Sequence, residues 1–293
     1  GVLSILPGTA AAGEAIVRHK KIRKISFTGG PITARKILQA CAEEIKPSVM
    51  ELGGKSASLM FPDCDIQKAC ERALFWSVGI LAGQGCALPT RLLVHADIYD
   101  DVLQRLQALI AYFKVGDPME EDSVVGPVIS AAQRDKVEGW IAELMERGAR
   151  WGAGGGRPEG LAKGLEKGHF MRPGLLRDVD PDDPLADTEF FAPVGMIFGY
   201  RDVDHAIELA NNTRYGLAGN VFGPLDEAIE VARKVRAGTV TINGGSGMRP
   251  DAPWGGPGRS GVGRELGEDG YAEFFEVKHI QYALAGITRP PGT

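Results

Sequence analysis

Short apolar runs alternate with amphipathic stretches along the front of this chain, and that alternation constrains its fold more than any other feature. Ile22 to Phe27 alternates as a strand, and Thr28-Gly29-Gly30-Pro31 then opens a helix running to about Ile45. Pro31 suits a first helical turn, where its missing N–H would have no partner anyway. Val49 to Leu52 and Ala57 to Phe61 read as the next strands, and Asp65 is placed to cap a helix carrying Ala69, Ala73 and Trp76. A βαβα rhythm of this kind predicts an α/β fold, a parallel sheet covered by helices.

The rhythm continues beyond the front third. Val2 to Leu6 reads as a buried strand and Ala10 to His19 as a helix. Arg91 to His95 follows as a strand, then Tyr99 to Tyr112 and Gln133 to Glu146 as helices, the Cys86 loop itself lying after a helix expected over Trp76 to Ala82. Gly152 to Pro158 is expected to be a surface excursion. Val194 to Tyr200, Leu217 to Phe222 and Thr239 to Asn243 read as strands separated by helices over Asp204 to Ala210 and Glu227 to Val235. Pro250 to Gly263 is a second Gly/Pro loop, and Phe274 to Leu284 is expected to be a terminal strand.

Composition narrows the function classes. With 33 Lys and Arg against 38 Asp and Glu, the net charge is -5 and no basic run offers a nucleic-acid surface. No apolar stretch is long enough to span a bilayer, and the N-terminus has no basic leader pattern. Cys41, Cys64, Cys70 and Cys86 form no CxxC pair, so neither a metal site nor a disulfide framework is expected, and a reduced cytoplasmic setting fits.

Two segments carry chemistry. Glu51 ends a strand and is followed by Gly53-Gly54, at the strand end where open α/β sheets bind ligands. A solvated turn acid is the alternative. Cys41 and Cys70 fall on apolar helix faces and Cys64 at a helix entrance, whereas Cys86 follows Gly83-Gln84-Gly85 in an open loop. A thiol so placed can act as a nucleophile, with a buried structural thiol as the alternative. Thr28-Gly29-Gly30 at a strand-to-helix junction can present N–H groups to a phosphate, although it lacks the full GxGxxG fingerprint. Lys55 reads as a structural or loop charge.

These residues also carry a family resemblance. Met50-Glu51-Leu52-Gly53-Gly54-Lys55-Ser56-Ala57 resembles the glutamate signature of the aldehyde dehydrogenase superfamily, and Gly83-Gln84-Gly85-Cys86 resembles its catalytic cysteine signature. Phe27-Thr28-Gly29-Gly30 is similar to a turn of its cofactor domain, Glu189 to Val194 to its Glu-x-Phe-Gly-Pro-Val segment, and Pro253-Trp254-Gly255-Gly256 to its Pro-Phe-Gly-Gly. The likeness spans nearly the whole chain, with its motifs in order.

The resemblance implies a partial Rossmann-type cofactor domain over residues 1–52, a parallel-sheet catalytic domain over 53–255, and a return to the cofactor domain with an oligomerisation strand over 256–293. It implies oxidation of a small aldehyde to a carboxylic acid with NAD or NADP. Cys86 would form a thiohemiacetal and then a thioester, and Glu51 would activate the water that hydrolyses it. Thr28, Gly29, Gly30, Gly53, Glu189, Phe191, Gln133 and Lys136 would meet the cofactor, with Glu189 on the ribose next to the nicotinamide. Ile80, Met248 and Trp254 would line the aldehyde tunnel. Glu51 argues against the acylating branch, and the full-length protein is expected to be a homodimer or homotetramer.

Departures from the pattern bear on the substrate. Gly85 takes the place of a larger residue before the cysteine, Leu88-Pro89 of a small pair after it, Gly30 of a Ser and Ala192 of a Gly. The segment that carries the family's oxyanion Asn and adenosine-ribose contacts has no counterpart in these 293 residues, so the isolated chain is expected to turn over weakly or not at all. A catalytically silent relative that binds nucleotide or a partner is the competing reading. A simple thiol redox protein is disfavoured because Cys86 has no resolving cysteine nearby.

Overall fold

The alternation resolves into two sheets in the computed structural model, which describes residues 1–245 and 247–282. In chain order the elements are α1 (Ala10–Arg18), β1 (Ile25–Thr28), α2 (Pro31–Glu43), β2 (Ser48–Glu51), β3 (Ala57–Met60), α3 (Ile66–Leu74), β4 (Arg91–His95) and α4 (Tyr99–Ile110). There follow α5 (Ala131–Glu146), β5 (Arg150–Gly154), β6 (Gly174–Arg177), β7 (Val194–Tyr200), α6 (Val203–Asn211), β8 (Ala218–Phe222), α7 (Leu225–Lys234), β9 (Thr239–Ile242), β10 (Gly261–Val262) and α8 (Gly267–Ala272). The smaller sheet has the order β1-β2-β10 and the larger β5-β6-β7-β4-β3-β8-β9.

Within the larger sheet every pairing is parallel except β5 with β6 at one edge. Parallel strands joined by crossover helices are covered on both faces, which is why β3 is buried at all four positions and β4 at four of five. One face packs Leu59, Leu93, Met196 and Val221 against Val137, Ile141, Ala206 and Val231 of α5, α6 and α7. The other packs Met60, Leu92, Val94 and Ile197 against Cys70, Leu74, Val102 and Leu106 of α3 and α4. Cys70 is therefore a core residue, as its apolar neighbours imply, and Cys41 lies in a small cluster with Val17 and Ile25.

The smaller sheet positions the site. Thr28 pairs with Glu51 on one side of β2, and Gly261 pairs with Glu51 on the other. Glu51 thus closes a central strand, one step before the chain crosses into β3 of the larger sheet. Asp65 caps α3 by accepting the Lys68 N–H at 3.1 Å, as its position before the helix implied.

Several sequence expectations need correction. Val2 to Leu6 forms no strand, and its apolar side chains are exposed, because no neighbouring strand offers it a hydrogen-bond ladder. The expected helix over Trp76 to Ala82 is instead a π-helical turn at Phe75–Gly79 and a 3-10 turn at Ile80–Gly83. Leu81 and Ala82 both take left-handed backbone angles there, with φ of 52° and 51°, which no α-helix accommodates. The surface excursion at Gly152 begins as strand β5, drawn into the sheet by β6, an element too short to announce itself. Among the described residues Phe274 to Tyr282 has no strand partner and forms no strand, and the rest of that expected element, Leu284 included, lies outside them. Helix α8 precedes it, and Lys24 fastens its end by an ion pair to Glu273 at 2.7 Å.

Candidate active site

Glu51 is 4% exposed, and neither carboxylate oxygen has a hydrogen-bond partner among the described residues. A buried carboxylate without partners is costly when ionised. Burial accordingly pushes its pKa from 4.5 to about 7, with Glu265 adding to the rise and Arg264 opposing it. Space for the carboxyl exists because residue 255 is glycine: a Cβ there, at a φ of +140°, would lie 2.5 Å from Glu51 Oε1.

The turn after Glu51 joins two other candidates. The Gly54 N–H donates to Glu189 Oε1 at 3.0 Å, and a Cβ on Gly53 would collide with Glu189 Oε2. A Cβ on Gly54 would collide with the carbonyl of Cys86. The two glycines therefore let the β2–β3 connection pass between the Cys86 loop and the Glu189 segment, a close approach that side chains would prevent. Burial pushes the Cys86 thiol above its ordinary value, and the negative fields of Glu189 and Glu51 add to it. The N–H groups of Cys86 and Ala87 act against that rise. Burial likewise raises Glu189, against the pull of the Gly54 N–H, Lys55 and Lys136. The centre thus sets a half-buried thiol, a potential nucleophile, close to a buried carboxyl that can serve as a base, while the carboxyl fields themselves hold the thiol in its protonated form.

Lys55 is 1% exposed rather than a loop charge. Its Nζ donates to the Thr188 carbonyl at 2.8 Å and lies 4.6 Å from the centre of the Phe190 ring. Burial, with Arg91 nearby, lowers its pKa to about 7, while Glu189 and Asp187 favour the charged form. Arg91, at the start of β4, donates to the Lys55 carbonyl and to the carbonyls of Leu209, Ala210 and Asn212 at the end of α6.

The remaining candidates are distributed around this centre. Gln133 Nε2 donates to the carbonyls of Phe190 and Phe191 at 2.7 and 3.1 Å, so its amide shapes the segment after Glu189. Phe191 is exposed with a φ of 52°, and Lys136 lies 5.0 Å from the Trp140 ring centre. Thr28, Gly29 and Gly30 are exposed, the Gly29 N–H donates to the Glu51 carbonyl at 3.0 Å, and Gly30 begins α2 with no side-chain cap. Trp254 is buried and exchanges backbone hydrogen bonds with Glu265 at 2.7 and 2.8 Å, Ile80 is half-buried, and Met248 is exposed. Lys55, Glu265, Arg264 and Gly255 were not singled out as site residues from sequence. Only the proximity of Trp254-Gly255 to a site motif could have pointed toward that part of the centre.

A doubly covered α/β fold thus brings one thiol and two carboxyls of raised pKa together around the end of β2. Comparison with known proteins identifies the family. The aldehyde dehydrogenase family matches residues 1–280, and the chain belongs to that family. A putative aldehyde dehydrogenase of Staphylococcus aureus is 42% identical over 283 residues, covering 96% of this chain and 58% of that protein. The crystal structure of a betaine aldehyde dehydrogenase from Staphylococcus aureus, in complex with NAD+, superposes with a TM-score of 0.88 at 36% identity, covering 93% of this chain and 54% of that one. An aldehyde dehydrogenase of Pseudomonas syringae in complex with NAD+ and octanal gives a TM-score of 0.84 at 35% identity, covering 90% of this chain and 54% of that one. The chain spans a little over half the length of these relatives.

Proposed function

We propose that this chain supplies the catalytic residues of an NAD(P)-dependent enzyme that oxidises an aldehyde to a carboxylic acid, with Cys86 as nucleophile and Glu51 as general base. The observation that carries this reading is the Glu51 carboxyl, buried without a hydrogen-bond partner among the described residues and brought to about 7 beside the Cys86 loop. A base poised near neutral pH is what the hydrolysis of a thioester requires.

In this reading the Cys86 sulfur adds to the aldehyde carbon, and the resulting thiohemiacetal is oxidised to a thioester. Glu51 takes a proton from water as that water attacks the thioester carbonyl, the C–S bond breaks, and the carboxylic acid leaves with Cys86 regenerated. The nicotinamide, when bound, supplies the hydride acceptor. The residues suit that cofactor: a Cβ at Gly30 would meet nothing within 4 Å, leaving the uncapped start of α2 open to an anionic group. Thr28, Gly29 and Gly30 would hold its phosphates, Glu189 its nearer ribose, and Phe191 its face. Gly53 makes room for Glu189, Gln133 holds the backbone that presents Phe191, and Lys136 favours the ionised form of Glu189.

Ile80, Met248 and Trp254 form the apolar lining proposed for the aldehyde. Residues 1–52 and 256–293 belong in this reading to the cofactor-binding part and 53–255 to the catalytic part of a cytoplasmic homo-oligomer. The test is aldehyde-dependent reduction of NAD or NADP by the protein that carries this chain. Cys86→Ala abolishes it, and Glu51→Gln leaves a burst of one turnover without a steady rate. Full activity in Cys86→Ala overturns the assignment.

A further inference from the structure

The loop that carries Cys86 cannot fix its own shape. It follows left-handed residues at Leu81, Ala82 and Gly83, and Gly85 adds no side chain of its own to hold it. Such a turn persists only where its surroundings over-determine it. Gly83 is one constraint, since a Cβ there would collide with the Ala192 carbonyl. Gln84 is a stronger one, because its single amide spans two segments. Its Nε2 donates to the Leu81 carbonyl at 3.1 Å and to the Pro127 carbonyl at 3.3 Å, and its Oε1 accepts the Ile129 N–H at 2.9 Å. The far side of this tie is itself anchored. Val128 is 2% exposed and its N–H donates to His169 at 3.0 Å, and Ser130 caps α5 by accepting the Gln133 N–H.

We propose that Gln84 is a positioning residue for the Cys86 thiol, its side-chain amide binding the nucleophile loop to residues 127–129 and so fixing the backbone that surrounds the sulfur. The proposal rests on the reading of Cys86 as nucleophile. Its physical consequence lies in the N–H groups of Cys86 and Ala87, both of which favour the thiolate. Their effect on the sulfur depends on the backbone of residues 85–87 keeping its present path. With Gln84 removed, the thiolate loses that support to a loop free to relax, while burial and the two carboxylates continue to oppose it.

The experiment follows alkylation of Cys86 by iodoacetamide in the 293-residue chain across pH 6 to 10, with each cysteine resolved by peptide mass mapping. Gln84→Met keeps the side-chain length and removes both donor and acceptor. It is expected to move the Cys86 pH–rate profile upward and slow alkylation at pH 7.5 about fivefold or more, with the Cys64 profile unchanged as an internal control. Because Gln84→Met can also weaken folding, Ile129→Pro provides a second variant. It removes the N–H that Gln84 Oε1 accepts while leaving Gln84 itself in place, at a residue whose side chain is exposed, and in a variant that keeps its fold it is expected to shift the Cys86 profile in the same direction. A folded variant with an unshifted Cys86 profile overturns the positioning role and leaves Cys86 as nucleophile intact. A native Cys86 that alkylates no faster than Cys64 overturns the underlying reading as well.

Discussion

Glu189 occupies the space that a side chain on Gly53 would fill: a Cβ there would collide with Glu189 Oε2, while the next residue, Gly54, donates its N–H to Oε1. The carboxylate is held by the absence of one group and the presence of another. Glu189 lies far from Gly53 and Gly54 in sequence and meets them only because the β2–β3 connection runs against the segment that precedes β7.

Gly53→Ala is accordingly expected to displace Glu189 rather than to remodel the turn. Overpacking a closed contact costs about 1–3 kcal/mol, read as a lower urea midpoint with an unchanged slope. In the protein that carries this chain, affinity for the nicotinamide cofactor falls more than the stability loss accounts for, measured by fluorescence titration. An alanine variant with native affinity shows that Glu189 is not held by this contact.

Glu51 gives a stability signature in pH. Its folded value of about 7 lies above the ordinary 4.5. Between those limits the native state keeps a proton that the unfolded chain has released, so stability is full below 4.5 and declines as pH rises through 7. Relative to Glu51→Gln, the native protein loses up to about 3 kcal/mol across that window and then runs parallel above it. Urea unfolding at pH 4.5, 6, 7 and 8 measures the difference. Parallel curves throughout the range disprove a raised Glu51.

The sequence carried the fold further than it carried the site. Strand and helix periods marked β2, β3, β4, β7, β8 and β9, most plainly β3, β4 and β7, because strands buried on both faces must be written in apolar residues. Glu51 and Cys86 stand out in the sequence because each sits in a short motif among glycines, whereas Glu189 is marked only by the family resemblance of residues 189–194. Two kinds of feature were not legible. The left-handed turn at Leu81 and Ala82 uses residues with no local preference for it, and tertiary contacts impose it. Lys55 reads as a structural or loop charge, and nothing near it announces that it will lie beneath Phe190; the Glu265 field on Glu51 depends on a strand pairing between residues distant in sequence. Val2 to Leu6 failed for the converse reason: an apolar run becomes a strand only beside another one.

Lys55 shifts stability in the opposite sense from Glu51. Its folded value of about 7 lies below the ordinary 10.5, so the unfolded chain holds more protons between those limits. The contribution is fully present above pH 10.5 and is lost as pH falls through 7. Lys55→Met fills the same volume without the charge and is expected to flatten the rise in stability between pH 7 and 9. The same variant removes the bond to the Thr188 carbonyl and the cation over Phe190, and it raises Glu189 further by deleting a positive neighbour. Cofactor affinity near pH 7 falls as a result. A variant with the native pH slope shows that Lys55 stays charged through this range.

Arg91 tests whether the two halves of the larger sheet depend on one guanidinium. Its Nε donates to the Lys55 carbonyl at 2.7 Å, and its two terminal nitrogens serve Leu209 at 2.8 Å, Ala210 at 2.8 Å and Asn212 at 3.4 Å. The Leu209 carbonyl also accepts the Asn212 N–H at 3.2 Å, but the carbonyls that follow it lie past the end of the helical ladder, so the guanidinium ends that helix and pins the Lys55 backbone in one stroke. Arg91→Lys keeps the charge, but an ammonium at the end of a flexible stem cannot reproduce the planar fork. At about 1–3 kcal/mol for each buried acceptor left unmade, a loss on the order of 3 kcal/mol is expected. Hydrogen exchange locates it: amides at the end of α6 and around Lys55 lose protection together, while those of α3 and α4 on the opposite face keep theirs. Uniform loss of protection across the sheet means that the variant has weakened the whole domain and that the clamp is not local.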